Sequence, residues 1–293
     1  MAISQSKMSD LTNTKGKEVP VDVFHLDQIP DAMENMGWEM APKLMRHWFS
    51  ITPAFAFNES TKINIFDADA RMLPASRVNN NIITMGWAKK FDQVSSVIKS
   101  LTAKWNTLKG REVLKLRLKS LGDYKSQCIF LGNQSDTVIL DATSQVNYLR
   151  IGSKIDTIND WYGAMGNCNL KVCLKGYTTY SSGKYFFKVD MLGFYLKDTY
   201  DFLDDNKLGI NIPEFLGVWN KERILNKVET TAYMSSYTAG LYGQLARYFS
   251  GSVPVFNYNF REWQSKNNSG GDFIVLSDVL WLPPLEMDKE IEL

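Results

Sequence analysis

The densest group of residues that could do chemistry is an acidic cluster between positions 198 and 205. It consists of Asp198, Asp201, Asp204 and Asp205, and it follows the long aromatic segment YFFKVDMLGFYLKDTY. Carboxylates gathered at the end of a strand could bind a cation or form a general acid–base pair. The spacing does not match an EF-hand loop, which needs alternating ligands, a glycine and a distal glutamate. A solvated loop with capping aspartates is the commoner use of such residues.

A second pair of aspartates, Asp272 and Asp278, flanks the apolar segment FIVLS. Two residues six apart share a face of a regular strand, because side chains alternate. At about 3.3 Å per residue their carboxylates would be roughly 20 Å apart, too far for the catalytic pair of a glycosidase. We interpret Asp272 as fixing the Gly270-Gly271 loop and Asp278 as closing the strand end. A hydrolase would need carboxylates from separate segments, for instance Asp201 and Asp272.

Other nucleophiles and bases are few. Ser277 lacks the G-x-S-x-G context of an α/β-hydrolase nucleophile. Only two histidines exist, His25 and His47, and His47 lies beside an apolar stripe, where a satisfied structural histidine is the better interpretation. The three cysteines form no C-x-x-C pair, so neither a zinc cluster nor a disulfide framework is indicated. We therefore expect no metal and no cofactor.

The eight tryptophans could stack on sugars or lie at a membrane interface. Most of them fall on apolar stripes and are expected in the core. Trp161 and Trp219 stand next to turn residues and are the exceptions. The candidate surface cluster therefore consists of Asp198, Tyr200, Asp201, Trp219, Asp272 and Asp278.

The composition narrows the class of partner. The 293 residues are 44% hydrophobic, and 33 Lys and Arg face 32 Asp and Glu, so no net field attracts nucleic acid. We expect a protein or small-molecule partner. The sequence contains no run of eighteen apolar residues, so no resting transmembrane segment is expected. Residues 1–21 predict a flexible leader without the apolar core of a signal peptide. The expected location is therefore the cytoplasm.

Residues 22 to about 108 show helical periodicity. The first apolar stripe recurs at three- and four-residue spacing, and Pro42 should kink this helix or divide it in two. A second stripe, from Ala88 to Trp105, predicts another amphipathic helix. The residues of the first stripe are Met33, Met36, Met40, Leu44 and Trp48.

Residues 109–285 favour β-structure. EVLKLRLKS alternates with a period of two, which favours a strand although a short helix would accept it, and CIFLGNQSDTVILDA predicts a hairpin. A Ser-Ser-Gly turn predicts a second hairpin, whose return strand continues from Tyr185 through a bulge at Gly193. We expect this strand in the middle of the sheet, with its acidic end beside the Gly270-Gly271 bend. The charged tail 286–293 is expected to fray.

Four stretches resemble an uncharacterised family of Gram-negative bacterial proteins, a domain of unknown function often encoded near type VI secretion genes. They are IPDAMENMGWEMAPKLMRHWF, ITMGWAKKF, LGFYLKDTYDF with LGVW, and FREWQSKNNSGGDFIVLSDV. The resemblance covers most of residues 25–282 and carries no catalytic residues with it. It implies a secreted effector, or an accessory protein that helps an effector onto the secretion machine. The protein partner that the resemblance implies is a secretion component, a chaperone or an immunity protein. The implied location is the producer's cytoplasm, or outside it after export without a signal peptide.

These observations predict one α+β domain over residues 22–285, in which an N-terminal helical layer packs on a mostly antiparallel sheet or sandwich. The expected function is that of a type VI secretion-associated effector or effector-accessory protein in interbacterial competition. Two alternatives stay open: a non-catalytic cytoplasmic adaptor or immunity-like binding module, and an envelope-targeting hydrolase.

Overall fold

The structure is a computed structural model that describes residues 24–152, 157–207 and 210–293, without the side chains of residues 205–212. It has an α+β fold, as the sequence predicts, in which helices cover a mixed eight-stranded sheet. The expected leader at residues 1–21 lies outside the described residues.

The helical layer begins with two short helices rather than one long one. Both start at a proline in their first turn, Pro30 and Pro42, where the missing N–H costs no hydrogen bond. The prediction that Pro42 divides the helical segment is therefore confirmed. The α-helices of the described residues are α1 (Ile29–Asn35), α2 (Ala41–Ser50), α3 (Glu59–Asp67), α4 (Met85–Ala88), α5 (Asp92–Lys104), α6 (Leu108–Leu121), α7 (Thr137–Thr143), α8 (Asp160–Ala164), α9 (Lys227–Thr238), α10 (Tyr242–Tyr248) and α11 (Asn257–Asn267).

The strands are β1 (Val78–Asn79), β2 (Phe130–Leu131), β3 (Gln145–Ile151), β4 (Cys168–Ser181), β5 (Lys184–Tyr200), β6 (Asp205–Lys207), β7 (Ile210–Ile212), β8 (Phe215–Trp219), β9 (Val253–Phe256), β10 (Phe273–Leu276), β11 (Leu280–Leu282) and β12 (Glu290–Glu292). The order β1-β10-β5-β4-β2 forms the spine of the large sheet, β3 pairs with β4, and β11 and β12 pair with β5. Only the β1–β10 pair is parallel among these described pairings. The aromatic segment is thus the central strand that the sequence predicts.

The β4–β5 hairpin closes through Ser182 and Gly183, both of which have positive φ, as a two-residue hairpin loop requires. The predicted bulge at Gly193 is wrong. The register shifts instead at Asp190, because Lys175 pairs with Met191 and the next residue pairs with Val189.

Alternation along β5 sends its side chains to two different cores. Phe194 and Leu196 pack in the large core under the helical layer. Tyr195 belongs to a smaller core on the opposite face, which also contains Leu140 of α7. The same alternation places the next two polar residues on different faces of the sheet. Lys197 shares the face of Tyr195, and Asp198 shares the face of Phe194 and Leu196.

Two segments with strand-like patterns are helical. EVLKLRLKS lies in α6, which buries Leu114 and Leu118 at i,i+4 spacing and begins at the capping side chain of Thr107. In the segment predicted as a hairpin, only Phe130–Leu131 is a strand, and α7 follows with Asp136 as its N-cap. The Asp136 side chain accepts a hydrogen bond from the N–H of Val138, a backbone donor that a second hairpin strand would have paired in a β-ladder.

The chain's last residues are paired rather than frayed. Strand β12 pairs with residues Phe186–Lys188 of β5, and Ile291 is only 3% exposed. The alternating sequence Glu-Ile-Glu buries its one apolar side chain and leaves both carboxylates outside. The expectation of a frayed tail is therefore wrong, because this burial anchors residues 290–292 to the sheet.

Candidate functional site

A cavity of about 420 Å³ lies at the C-terminal end of β5, where this strand meets α1, α2, α8 and β8. It brings together four of the six predicted site residues: Asp198, Tyr200, Asp201 and Trp219. We call it the β5 cavity. The strand ladder ends at this point, because Tyr200, the last residue of β5, pairs with Phe273, the first residue of β10.

The acidic side of the β5 cavity is organised around Asp201. Its carboxylate is 4% exposed and lies 2.8 Å from Lys62 Nζ of α3. It also accepts a hydrogen bond from Leu203 N, at 3.1 Å. Burial raises the pKa of Asp198, and the nearby Asp201 carboxylate raises it further. Glu214 adds a third carboxylate to the cavity wall.

Aromatic rings also line the β5 cavity. Trp38 and Trp219 meet edge to face with centroids 6.2 Å apart, and Trp219 Nε1 donates to Leu216 O. Tyr200 stacks on Phe273 at 5.4 Å, and burial raises the pKa of its hydroxyl. These contacts fix the planes of the rings, so the wall is preformed.

Asp272 is not part of the β5 cavity. Its carboxylate is fully buried and accepts from Trp48 Nε1 at 2.9 Å, from Phe57 N at 2.7 Å and from both terminal nitrogens of Arg261 at 3.0 and 2.7 Å. Burial raises the pKa of Asp272, and the Arg261 pair opposes that effect. The side chain ties α2 and α11 to the Gly270-Gly271 bend. Asp201 and Asp272 therefore do not present paired carboxylates to one cleft.

Asp278 also lies outside the β5 cavity. It accepts a hydrogen bond from Met85 N, and its own N–H donates to Ile83 O at 3.2 Å. The residue fastens the start of α4 to the strand end, in line with its interpretation as a strand-closing aspartate. Within the acidic cluster, Asp204 accepts from Glu214 N at 3.0 Å, and the side chain of Asp205 is outside the described set.

Sequence reasoning missed Lys62, Trp38 and Asn257, which line the cavity from three distant segments. No local pattern marks any of them as a site residue. Trp161, by contrast, is a core residue with no exposed surface that stacks on Trp87 at 5.7 Å.

His47 is half-buried and packs edge-on against Phe273, with ring centroids 4.7 Å apart. Burial lowers the pKa of its imidazole. Its Nε2 atom has no hydrogen-bond partner among the described residues, so His47 is packed as a structural residue but its Nε2 is not satisfied. Over residues 24–152, 157–207 and 210–293, no three Asp, Glu, His or Cys side chains are grouped to hold a metal ion.

The fold and the cavity define an α+β protein with a preformed, acidic and aromatic pocket at the end of its central strand. No described helix has the length and apolar character needed to cross a bilayer. The chain belongs to a family of unknown function (DUF6402), whose model matches residues 24–292. No curated protein and no solved structure matches it.

Proposed function

We propose that this chain is an effector or effector-accessory protein of type VI secretion, and that the β5 cavity receives a lysine or arginine side chain of a partner protein. The partner would be a secretion component, a chaperone or an immunity protein. The observation that carries the proposal is the combination of three carboxylates and aromatic walls in one preformed cavity.

The charges favour a cation. Among the described side chains of the lining, the ammonium of Lys62 pairs with Asp201, so the carboxylate of Asp198 adds an excess negative charge when it is ionised. A cation in the cavity would also oppose the effect of burial on Asp198 and lower its pKa. Binding is therefore expected to release a proton at a pH below the raised pKa of Asp198.

The aromatic rings that line the β5 cavity favour the aliphatic part of a lysine or arginine side chain. Lys and Arg carry apolar stems that pack on rings while the charged group remains hydrogen-bonded, and a cation over an indole face gains about 0.5–2 kcal/mol. Trp38 and Trp219 both line the cavity. A neutral side chain would pack on the rings but leave the carboxylates without a cation. An acidic side chain would meet carboxylates of like charge.

The secretion context is supported by the resemblance of the four stretches named above, all of which fall within the residues that the family model matches. The rival role, a harmless adaptor or immunity-like module, would use the same cavity but differ in its effect on cells. An effector harms a bacterial host when it is produced in the cytoplasm or directed to the periplasm. An adaptor harms the host in neither compartment and co-purifies with the product of a neighbouring gene.

A cavity-filling variant tests the proposed role of the site. Leu216 lines the cavity, whereas the adjacent Phe215 is 36% exposed and lies outside it. We expect Leu216→Trp to abolish toxicity or partner co-purification, and the matched Phe215→Trp to leave both unchanged. Thermal unfolding would verify that both variants fold. Full function in a folded Leu216→Trp variant would overturn the proposal.

A further inference from the structure

The opposite face of β5 carries a buried cluster of charges. Asp141 of α7 accepts hydrogen bonds from Lys171 Nζ at 2.7 Å, from Lys197 Nζ at 2.6 Å and from Tyr195 Oη at 2.6 Å. Lys197 is 1% exposed and Tyr195 is fully buried. These side chains come from three elements, so the cluster is a product of the tertiary fold.

The cluster has more positive than negative charge. Two ammonium groups share the single carboxylate of Asp141. Arg117 adds a third cation beside them, and it donates to the backbone carbonyls of Asp141, Ala142 and Gln145. A buried cation without a matching anion is costly, because desolvation exceeds what neutral groups return.

The two ammonium groups also have unused donors. Each can donate three hydrogen bonds, and among the described residues each donates only to Asp141. The ring of Phe66 lies 5.1 Å from Lys197 Nζ and 5.8 Å from Lys171 Nζ. A ring face partly offsets the desolvation of a cation but accepts no conventional hydrogen bond.

A cavity of about 430 Å³ opens directly onto this cluster. Arg117, Lys171 and Lys197 line it together with the amide side chains of Gln145 and Asn169, which are further possible donors. Phe66 and Tyr148 supply an apolar wall. Asp67 and Asp69 also belong to the lining. Asp69 forms an ion pair with Arg71, in which the Nη2–Oδ2 distance is 2.6 Å.

We propose that this second cavity binds a small oxyanion, a carboxylate- or phosphate-bearing molecule, through the ammonium groups of Lys171 and Lys197. The bound oxyanion accepts the unused N–H donors of the two ammonium groups, which share the single carboxylate of Asp141. The amide side chains hold its remaining oxygens, and the ring wall packs against its apolar part. This inference is independent of the function proposed for the β5 cavity, which lies on the other face of the strand.

Titration with inorganic phosphate, succinate and acetate tests the proposal, with sodium chloride at matched ionic strength as the reference. We expect a saturable rise in the melting temperature and a matching isotherm in calorimetry for at least one oxyanion. Phosphate and carboxylate are separate arms, so their relative affinities identify the class of ligand. Excluded-salt effects do not saturate, which separates them from binding.

Three variants assign the binding to the cluster. Lys171→Met removes the more accessible ammonium and leaves a one-to-one pair of Lys197 with Asp141, so we expect affinity to fall at least tenfold. Lys175→Met removes a charge from the same strand outside the cavity and serves as the matched control. Asp67→Asn, at an exposed position on the cavity wall, removes a like charge and should tighten binding severalfold.

Each outcome of these titrations either supports or overturns the oxyanion site. Saturable binding that Lys171→Met weakens and Asp67→Asn strengthens supports the site. Absence of saturation by all three oxyanions in the wild-type protein overturns it, as does binding that Lys171→Met and Lys175→Met weaken equally. If Lys171→Met does not fold, the exposed Asp67→Asn variant decides, and an affinity equal to that of the wild type then counts against the site.

Discussion

Replacement of Asp272 by alanine should strongly destabilise the protein. The carboxylate has no exposed surface and holds Arg261 in a two-point ion pair, with Trp48 Nε1 and Phe57 N as further donors. Asp272→Ala leaves the N–H groups of Trp48 and Phe57 unpaired in the interior. It also removes the anionic partner of Arg261, whose guanidinium keeps, among the described residues, only its hydrogen bond to Gln264 Oε1, at 2.9 Å.

The expected loss follows from this geometry. Breaking a buried ion pair by removing one partner costs about 3–5 kcal/mol. The side chain of Arg261 is 24% exposed and regains some solvation, which places the ion-pair loss near the lower end, at about 3 kcal/mol. The two N–H donors left unpaired add about 1 kcal/mol each. We therefore expect the free energy of unfolding to fall by about 5 kcal/mol, a large part of the roughly 5–15 kcal/mol that a folded domain has.

Urea unfolding followed by tryptophan fluorescence measures this loss. The exposed Asp190, at the bulge in β5, provides the matched control, and Asp190→Ala should change the free energy by no more than about 0.5 kcal/mol. A double-mutant cycle with Arg261→Ala should give a coupling energy of about 1–3 kcal/mol. A loss below about 1 kcal/mol for Asp272→Ala, or zero coupling, would refute the reasoning.

Three further predictions concern packing and pH. Gly193→Ala should destabilise the protein by about 1–3 kcal/mol in thermal unfolding, because its Cβ would lie 2.6 Å from Cys173 Sγ and 2.7 Å from the Trp281 ring; an unchanged melting temperature would contradict this. Gly243→Ala, where no atom lies within 4 Å, should stabilise α10 by about 0.5–1 kcal/mol, and a lower melting temperature would argue against the helix. The Arg223 hydrogen bond lowers the pKa of Glu229 from 4.5 to about 2, so its stabilisation of α9 is present above pH 4.5 and is lost as the pH falls towards 2. Hydrogen exchange of residues 227–238 should show this loss, and Glu229→Gln should remove the dependence.

The sequence predicts the parts of the fold that depend on local pattern. Alternating aromatic residues and a Ser-Gly turn define the β4–β5 hairpin, and Pro42 divides the first helical segment. The pattern fails in α6, because LKLRL satisfies both a period of two and the i,i+4 pair Leu114 and Leu118. Only the surrounding helical packing decides between them, and that information is not local.

The β5 cavity likewise combines residues that a local sequence pattern predicts with residues that it does not predict. Asp198, Tyr200 and Asp201 meet because one strand end carries them, so a sequence pattern predicts them together. Lys62 reaches Asp201 across 139 positions of sequence, and no local signal predicts that pairing. Asp272 lies beside the same strand end, as expected, but Arg261 and Trp48 occupy its carboxylate.

Labelling with 5-fluorotryptophan allows the most direct measurement of the β5 cavity. Titration with N-acetyl-lysine methylamide should shift the fluorine resonances of Trp38 and Trp219 saturably and leave that of the buried Trp161 unchanged. The uncharged norleucine analogue should bind roughly tenfold more weakly, a difference of about 1.4 kcal/mol, because it cannot meet the carboxylates. Equal binding of the two probes, or no shift at Trp38 and Trp219, would contradict the claim that this cavity receives a basic side chain.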